Sequence, residues 1–272
     1  MLRRTILKKL LVSPDFEQQM NRVPKEVGSL GYDAWGYHKD GGKIGLSLLK
    51  LLYDHWFRVE PQGLENIPAK GRVLVIANHS GQIPFDGGLV MIAMVTNPHA
   101  PRMPRTMIER WFPTLPYVNN ILNMGGAVLG DPMNCERMLE HEEAVIVFPE
   151  GVRGSGKLFY DRYELQRFGN GFMHLAIEHD APIVPVGVVG CEESMPSLAD
   201  IKPLARLLGF PYAPLTIPAP LPVKVRLYFG EPMRYAGPVE SEQQVAGYVE
   251  EVKDAIRGLI RTGLSERKGW FK

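Results

Sequence analysis

From Val59 onward, short apolar runs alternate with stretches whose apolar residues recur every three or four positions. These short runs fall at 72–77, 103–108, 126–129, 144–148, 182–189 and 223–229, all but 103–108 rich in Val, Ile or Leu. They predict strands. The stretches at 87–96, 133–142, 169–179 and 241–262 predict helices. The last carries the 3.6-residue period most clearly, in Val245, Val249, Val252, Ile256 and Leu259/Ile260. Strand alternating with helix predicts an α/β fold: a single domain over 59–272 with a largely parallel central sheet flanked by helices.

Residues 1–58 read differently. Met1 to Val12 mixes Arg3, Arg4, Lys8 and Lys9 with Leu2, Ile6, Leu7, Leu10 and Leu11. That pattern predicts an N-terminal amphipathic helical segment suited to a membrane surface. Its apolar stretch is too short and too interrupted by charge for a secretory signal. Residues 13–42 are rich in Gly, Pro and Asp and are expected to be irregular. A helix is predicted over 43–57, with Ile44, Leu48, Leu51, Leu52 and Trp56 on one stripe widened by Leu46, Leu49 and Tyr53. The stripe has two readings. It belongs to the core, or it lies on a bilayer with Trp56 and Phe57 in the interface and Lys43, Lys50 and Arg58 near lipid phosphates. Segment 209–223 carries Pro211, Pro214, Pro218, Pro220 and Pro222 and cannot be regular throughout. It is a surface loop or an apolar lip near a cleft.

Composition narrows the classes. Of 272 residues, 45% are hydrophobic and 22% charged, ordinary for a globular chain able to bury a sizeable core. A net charge of +1 gives no field that would select nucleic acid. Two cysteines, Cys135 and Cys191, suggest neither a disulfide framework nor a metal site, so the chain reads as reduced and intracellular. No apolar run reaches the ~18 residues of a membrane span.

Two segments carry the chemistry. Ala77-Asn78-His79-Ser80-Gly81-Gln82-Ile83-Pro84-Phe85-Asp86-Gly87 follows the apolar run ending at Ile76. Val147-Phe148-Pro149-Glu150-Gly151-Val152-Arg153-Gly154 follows the run ending at Val147. Both fall at the C-terminal ends of predicted strands, where open α/β sheets build their sites. His79 is a proton acceptor suited to neutral pH, and Asp86 is the nearest carboxylate able to orient its ring. A purely structural reading is also open, with His79 satisfied by backbone and Asp86 capping the helix at 87–96. In the second segment, Gly151 permits close backbone approach and Arg153 offers a planar fork for phosphate or carboxylate. The stretch from Gly151 to Lys157 mimics the start of a phosphate-binding loop, but Leu158 stands where Ser or Thr should hold Mg²⁺. There is no Gly-x-Ser-x-Gly elbow. Ser80, next to His79, is a poor nucleophile candidate because neighbouring strand residues point apart.

With these residues in place, the chain resembles the glycerolipid and lysophospholipid acyltransferase family, of the 1-acylglycerol-3-phosphate acyltransferase kind. The resemblance rests on Asn78-His79…Asp86, Gly125-Gly126-Ala127-Val128-Leu129, Phe148-Pro149-Glu150-Gly151-Val152-Arg153 and Pro182-Ile183-Val184-Pro185-Val186, four blocks in order between about residues 56 and 235, approached by Val59 to Pro68. It implies an O-acyltransferase that moves a fatty acyl group from acyl-CoA or acyl-carrier protein to a lysolipid hydroxyl, without a covalent intermediate and without a cofactor beyond the acyl donor. His79 and Asp86 would be catalytic. Ser80, Glu150, Gly151, Arg153 and Arg105 would bind substrate. The protein would sit peripherally on the cytoplasmic face of a membrane. Two departures from the pattern stand out. Six residues, rather than four, separate His79 from Asp86, and Asp131 stands where a phosphate-binding cation is usual. Arg102, Arg105, Arg110 or Lys157 would have to compensate, or the acceptor is a neutral monoacylglycerol or a lysophospholipid with a different head group. A non-catalytic lipid-binding protein and a lipid or thioester hydrolase are the alternatives.

Overall fold

The computed structural model describes residues 11–24, 27–80, 82, 83, 85–110, 122–238 and 241–272. In chain order these form helices α1 (Pro14–Arg22) and α2 (Lys39–Leu51), the latter running on as a π-helical turn over Leu52–Trp56, then β1 (Glu60–Gln62), β2 (Val73–Ala77), α3 (Phe85–Val95), β3 (Arg105–Ile108) and β4 (Ala127–Leu129). There follow α4 (Pro132–Glu140), β5 (Ala144–Val147), the single turn α5 (Val152–Ser155), α6 (Gly171–Glu178), β6 (Ile183–Val189), the short α7 (Cys191–Ser194), β7 (Ala199–Asp200), α8 (Lys202–Leu208), β8 (Pro214–Leu215), β9 (Arg226–Phe229) and the long α9 (Glu242–Glu266).

Seven strands pair in the order β1-β9-β6-β2-β5-β3-β4. From β6 to β4 every pairing is parallel, while β9 runs antiparallel to β6 and carries β1 with it. This is the single α/β domain that the alternation predicts. Because side chains alternate along a strand, β2 feeds two cores at once. Val73, Val75 and Ala77 point into a layer shared with α1, α2 and α3, whereas Leu74 and Ile76 point into a layer shared with α4, α6 and α9. Burial on both faces explains why the strand reads as one unbroken apolar run.

The N-terminal segment departs from expectation. Residues 14–22, read as irregular, form a helix: Ser13 caps it by accepting from Phe16 N–H, Pro14 occupies its first turn, and Phe16 and Met20 are buried one turn apart. The helix predicted over 43–57 begins at Lys39, and its stripe serves the core on one side. Phe57 is fully buried, and Lys43 is 3% exposed, bonded to Asn21 Oδ1 at 2.6 Å. Arg58 donates to the carbonyls of Trp56, Pro222 and Phe271. Phe57 and Lys43 do not face outward as the bilayer reading required, and Arg58, partly buried, is engaged with backbone. Leu48, Leu51 and Trp56 do remain exposed along the outer side. The predicted amphipathic helix at 1–12 lies, up to residue 10, outside the described residues. Among the described residues no helix is long and apolar enough to cross a membrane.

Candidate active site

The C-terminal ends of β2, β5, β3 and β4 lie side by side because these strands are parallel neighbours. They open onto a cavity of about 780 Å³ whose lining is mostly apolar. Helix α2 forms one wall through Leu46 and Leu49, α3 contributes Phe85 and Met91, and α6 adds Phe172 and Leu175. At the strand ends His79, Glu109, Asp131, Glu150, Gly151 and Arg153 also line it.

His79 is placed by its neighbours on both sides. Asn78 extends the β2–β6 pairing with its side-chain amide: Oδ1 accepts from Val188 N–H at 2.7 Å and Nδ2 donates to Val188 O at 3.1 Å. The His79 backbone N–H donates to Glu150 Oε1 at 2.8 Å, tying the end of β2 to the end of β5. The ring Nδ1 meets Asp86 Oδ2 at 2.7 Å, and the ring leans on Phe148 at a centroid distance of 4.5 Å. That leaves Nε2 as the nitrogen available to a ligand in the cavity. Asp86 sits in the first turn of α3, where its carboxylate also accepts the backbone N–H groups of Ser80 at 2.7 Å and Gly87 at 2.8 Å. The six-residue separation is thus spanned by a loop that ends as the helix begins. Gly81 and Pro84, read as permitting that turn, lie outside the described residues. Burial alone would lower the pKa of the ring, but the charge and hydrogen bond of Asp86, with Glu150 and Glu109 behind it, outweigh burial, and the net shift is upward.

The second segment is held from below. Glu150 Oε2 accepts from Gln166 N–H at 2.8 Å, so both oxygens of this fully buried carboxylate hold backbone. Lys157 lies 3.6 Å from it and 3.0 Å from Glu192. This lysine, the one that mimics a phosphate-binding loop, is therefore consumed inside the protein. Burial, opposed by Lys157, pushes the Glu192 carboxyl up to about 7. Gly154, overlooked in the sequence, is what lets the two segments meet. A Cβ there would lie 2.7 Å from both Glu150 Cβ and His79 Cβ. Nothing in the local pattern around Gly154 announces that contact, which forms only when two strands whose paired residues lie 71 apart in sequence become neighbours.

Of the predicted substrate-binding residues, Glu150, Gly151 and Arg153 reach the cavity, Arg153 exposed and donating to the Arg167 carbonyl at 3.1 Å. Two do not. The Ser80 side chain is fully buried beside Cys191, pointing away from His79 as strand alternation dictates. Arg105 stands at the opposite end of β3 from the cavity, fully buried against Asp33 and 3.2 Å from Glu143. Nor do the other named cations gather around a phosphate. Arg102 donates to the carbonyls of Pro68 and Gly71, and Arg110 pairs with Asp131 at 2.8 Å. Asp131 itself caps α4 by accepting from Met133 N–H.

A family model described as Acyltransferase matches residues 58–189. The chain is 38% identical over 249 residues to uncharacterized proteins of Mycobacterium bovis and Mycobacterium tuberculosis, covering 88% of this chain and 70% of theirs. It is 30% identical to the bovine DGAT1/2-independent enzyme synthesizing storage lipids, covering 75% of this chain and 60% of that protein. Among solved structures, the 1-acyl-sn-glycerophosphate (LPA) acyltransferase PlsC of Thermotoga maritima aligns over 85% of this chain and 83% of its own, with a TM-score of 0.57 and 21% identity.

Proposed function

This chain belongs to the acyltransferase family, and from that premise we propose that it transfers a fatty acyl group from acyl-CoA or acyl-carrier protein to a hydroxyl of a lysoglycerolipid, with His79 as general base. The observation that carries the reading is the 2.7 Å contact between His79 Nδ1 and Asp86, with the His79 ring lining a mostly apolar cavity. In this mechanism the lipid hydroxyl gives its proton to His79 Nε2 as its oxygen attacks the thioester carbonyl. Collapse of the tetrahedral intermediate expels the thiolate, which takes the proton back from the imidazolium. The products are an ester and a free thiol. Asp86 fixes the ring tautomer and steadies the imidazolium. A thioester is already activated, so one base and good positioning suffice. The storage-lipid synthesis in the bovine relative's name and the LPA substrate in the name of the bacterial structure agree with a lipid acceptor.

The test is turnover by the purified full chain with labelled acyl-CoA and a panel of lysolipids. His79→Ala is expected to lose about 10²–10⁴-fold in kcat/KM while melting as the parent does. Undiminished transfer by a folded His79→Ala protein would sink the mechanism. Release of fatty acid at the same rate with or without acceptor would assign the site to hydrolysis instead.

The same reading places the protein peripherally at a membrane surface. Its support is the exposed row of Leu48, Leu51 and Trp56 on the outer side of α2 and its π-helical extension. Leu48→Glu together with Leu51→Glu is expected to weaken sedimentation with liposomes. Unchanged pelleting by that variant would remove the surface from consideration.

A further inference from the structure

The Lys, Arg, Asp and Glu side chains that line the cavity do not suit an anion. Glu109 follows β3, and its carboxylate lies over the turn after β5: a Cβ on Gly151 would stand 2.7 Å from Glu109 Oε1. Gly151 has φ +56° and faces the cavity. The open face of that glycine turn, where a ligand would approach backbone closely, therefore already holds a carboxylate of the protein itself. Glu109 has no hydrogen bond or ion pair among the described residues. Asp131 adds a second carboxylate to the lining, with Arg110 spent on it. Arg153 is the one Lys or Arg that lines the cavity among the described residues. Arg102, Arg105 and Lys157 are committed elsewhere.

We propose that Glu109 sets acceptor specificity, selecting an uncharged, hydroxyl-bearing glyceride whose second hydroxyl donates to its carboxylate, and rejecting acceptors that carry a phosphate. The proposal rests on the acyl-transfer reading for the word acceptor, but the discrimination it describes is one of binding. A hydroxyl meets an ionised carboxylate as a strong charge-assisted hydrogen bond. A phosphate at the same place meets like charge in a partly desolvated site, where screening by water is weak. With the His79 ring neutral, as a base must be, Arg153, exposed and already donating to a carbonyl, supplies a single opposing charge.

The experiment needs no acyl donor. The full wild-type chain is loaded with a fluorescent fatty-acid probe in uncharged detergent micelles, and the probe is displaced by monooleoylglycerol or by oleoyl lysophosphatidate. Monooleoylglycerol is expected to compete at least tenfold better. Glu109→Gln, nearly the same shape without the charge, is expected to narrow that ratio at least fivefold by improving lysophosphatidate. Glu109→Ala serves as a second variant, expected to improve lysophosphatidate and weaken monooleoylglycerol together, and all three proteins are compared by thermal melting. Equal or better competition by lysophosphatidate on the wild type, displacement by neither lipid, or a ratio unmoved in folded Glu109→Gln overturns the proposal. Because the assay reads binding, a chain that transfers no acyl group yet shows the expected order would sink the acyl-transfer reading and leave the Glu109 assignment standing.

Discussion

Below its raised pKa the His79 ring carries a proton on both nitrogens and cannot accept another. Activity that uses it as a base is therefore expected to rise with pH through a single ionisation above the ordinary value of 6.5. Asp86→Asn removes the largest upward contribution and leaves burial, which pulls the other way. The acid limb of kcat/KM in that variant is expected to move to lower pH, and a limb that stays in place would show that the pair is not what titrates. Linkage works in the same sense. The pairing adds stability that is full below about pH 6.5 and is lost as pH rises through the raised folded value. At this scale the sequence showed which residue types matter and less about where they point. His79 and Asp86 were legible because they follow a strand end, and the extra loop length is absorbed as α3 begins. Arg105 and Ser80 were misread for directional reasons. Arg105 opens β3 rather than closing it, and Ser80 takes the alternate side of the chain from His79.

Helix α3 is pressed between α2 and the sheet, and two glycines make the fit. A Cβ on Gly87 would stand 3.2 Å from Thr106 Cγ2, and one on Gly88 only 2.7 Å from Leu49 Cδ2. Gly88→Val is expected to cost roughly 1–3 kcal/mol by overpacking. Gly45, in the interior of α2 with nothing within 4 Å of its would-be Cβ, is the contrast. Gly45→Ala is expected to gain ~0.5–1 kcal/mol from helix propensity. Urea denaturation midpoints check both signs. Elements with long, strong periodicity, such as α9, and the doubly buried β2 were plain in the sequence, to within a few residues at their ends. Helix α1 was hidden because only two of its positions are buried, although the Ser13-Pro14 start carried a capping signal. The π-helical turn at 52–56 follows from packing of Tyr53 and Phe57 into the core, which periodicity does not encode.

Across the whole molecule, the described part of the segment before β1 packs into the domain. Phe16, Met20, Tyr37, Leu46, Tyr53 and Phe57 share a core with β2, β6 and β9. Arg105 secures it from the far end of β3. Its guanidinium is fully buried against Asp33, whose other oxygen accepts the N–H groups of Trp35 and Tyr37, and it reaches Glu143 from the start of β5. Arg105→Met is expected to destabilise the fold by about 3–5 kcal/mol, because two carboxylates lose their buried cation. Chemical denaturation measures this, and a loss under 1 kcal/mol would show the cluster to be dispensable.

Helix α2 is a partition with two oily sides. Leu46 and Leu49 look inward on the chamber, while Leu48 and Leu51, about half exposed, look outward. An α-helix with its side chains is only about 10–12 Å across. The apolar surface outside and the chamber inside are therefore kept apart by the thickness of a single rod, and a sideways shift of that rod would resize the room behind it.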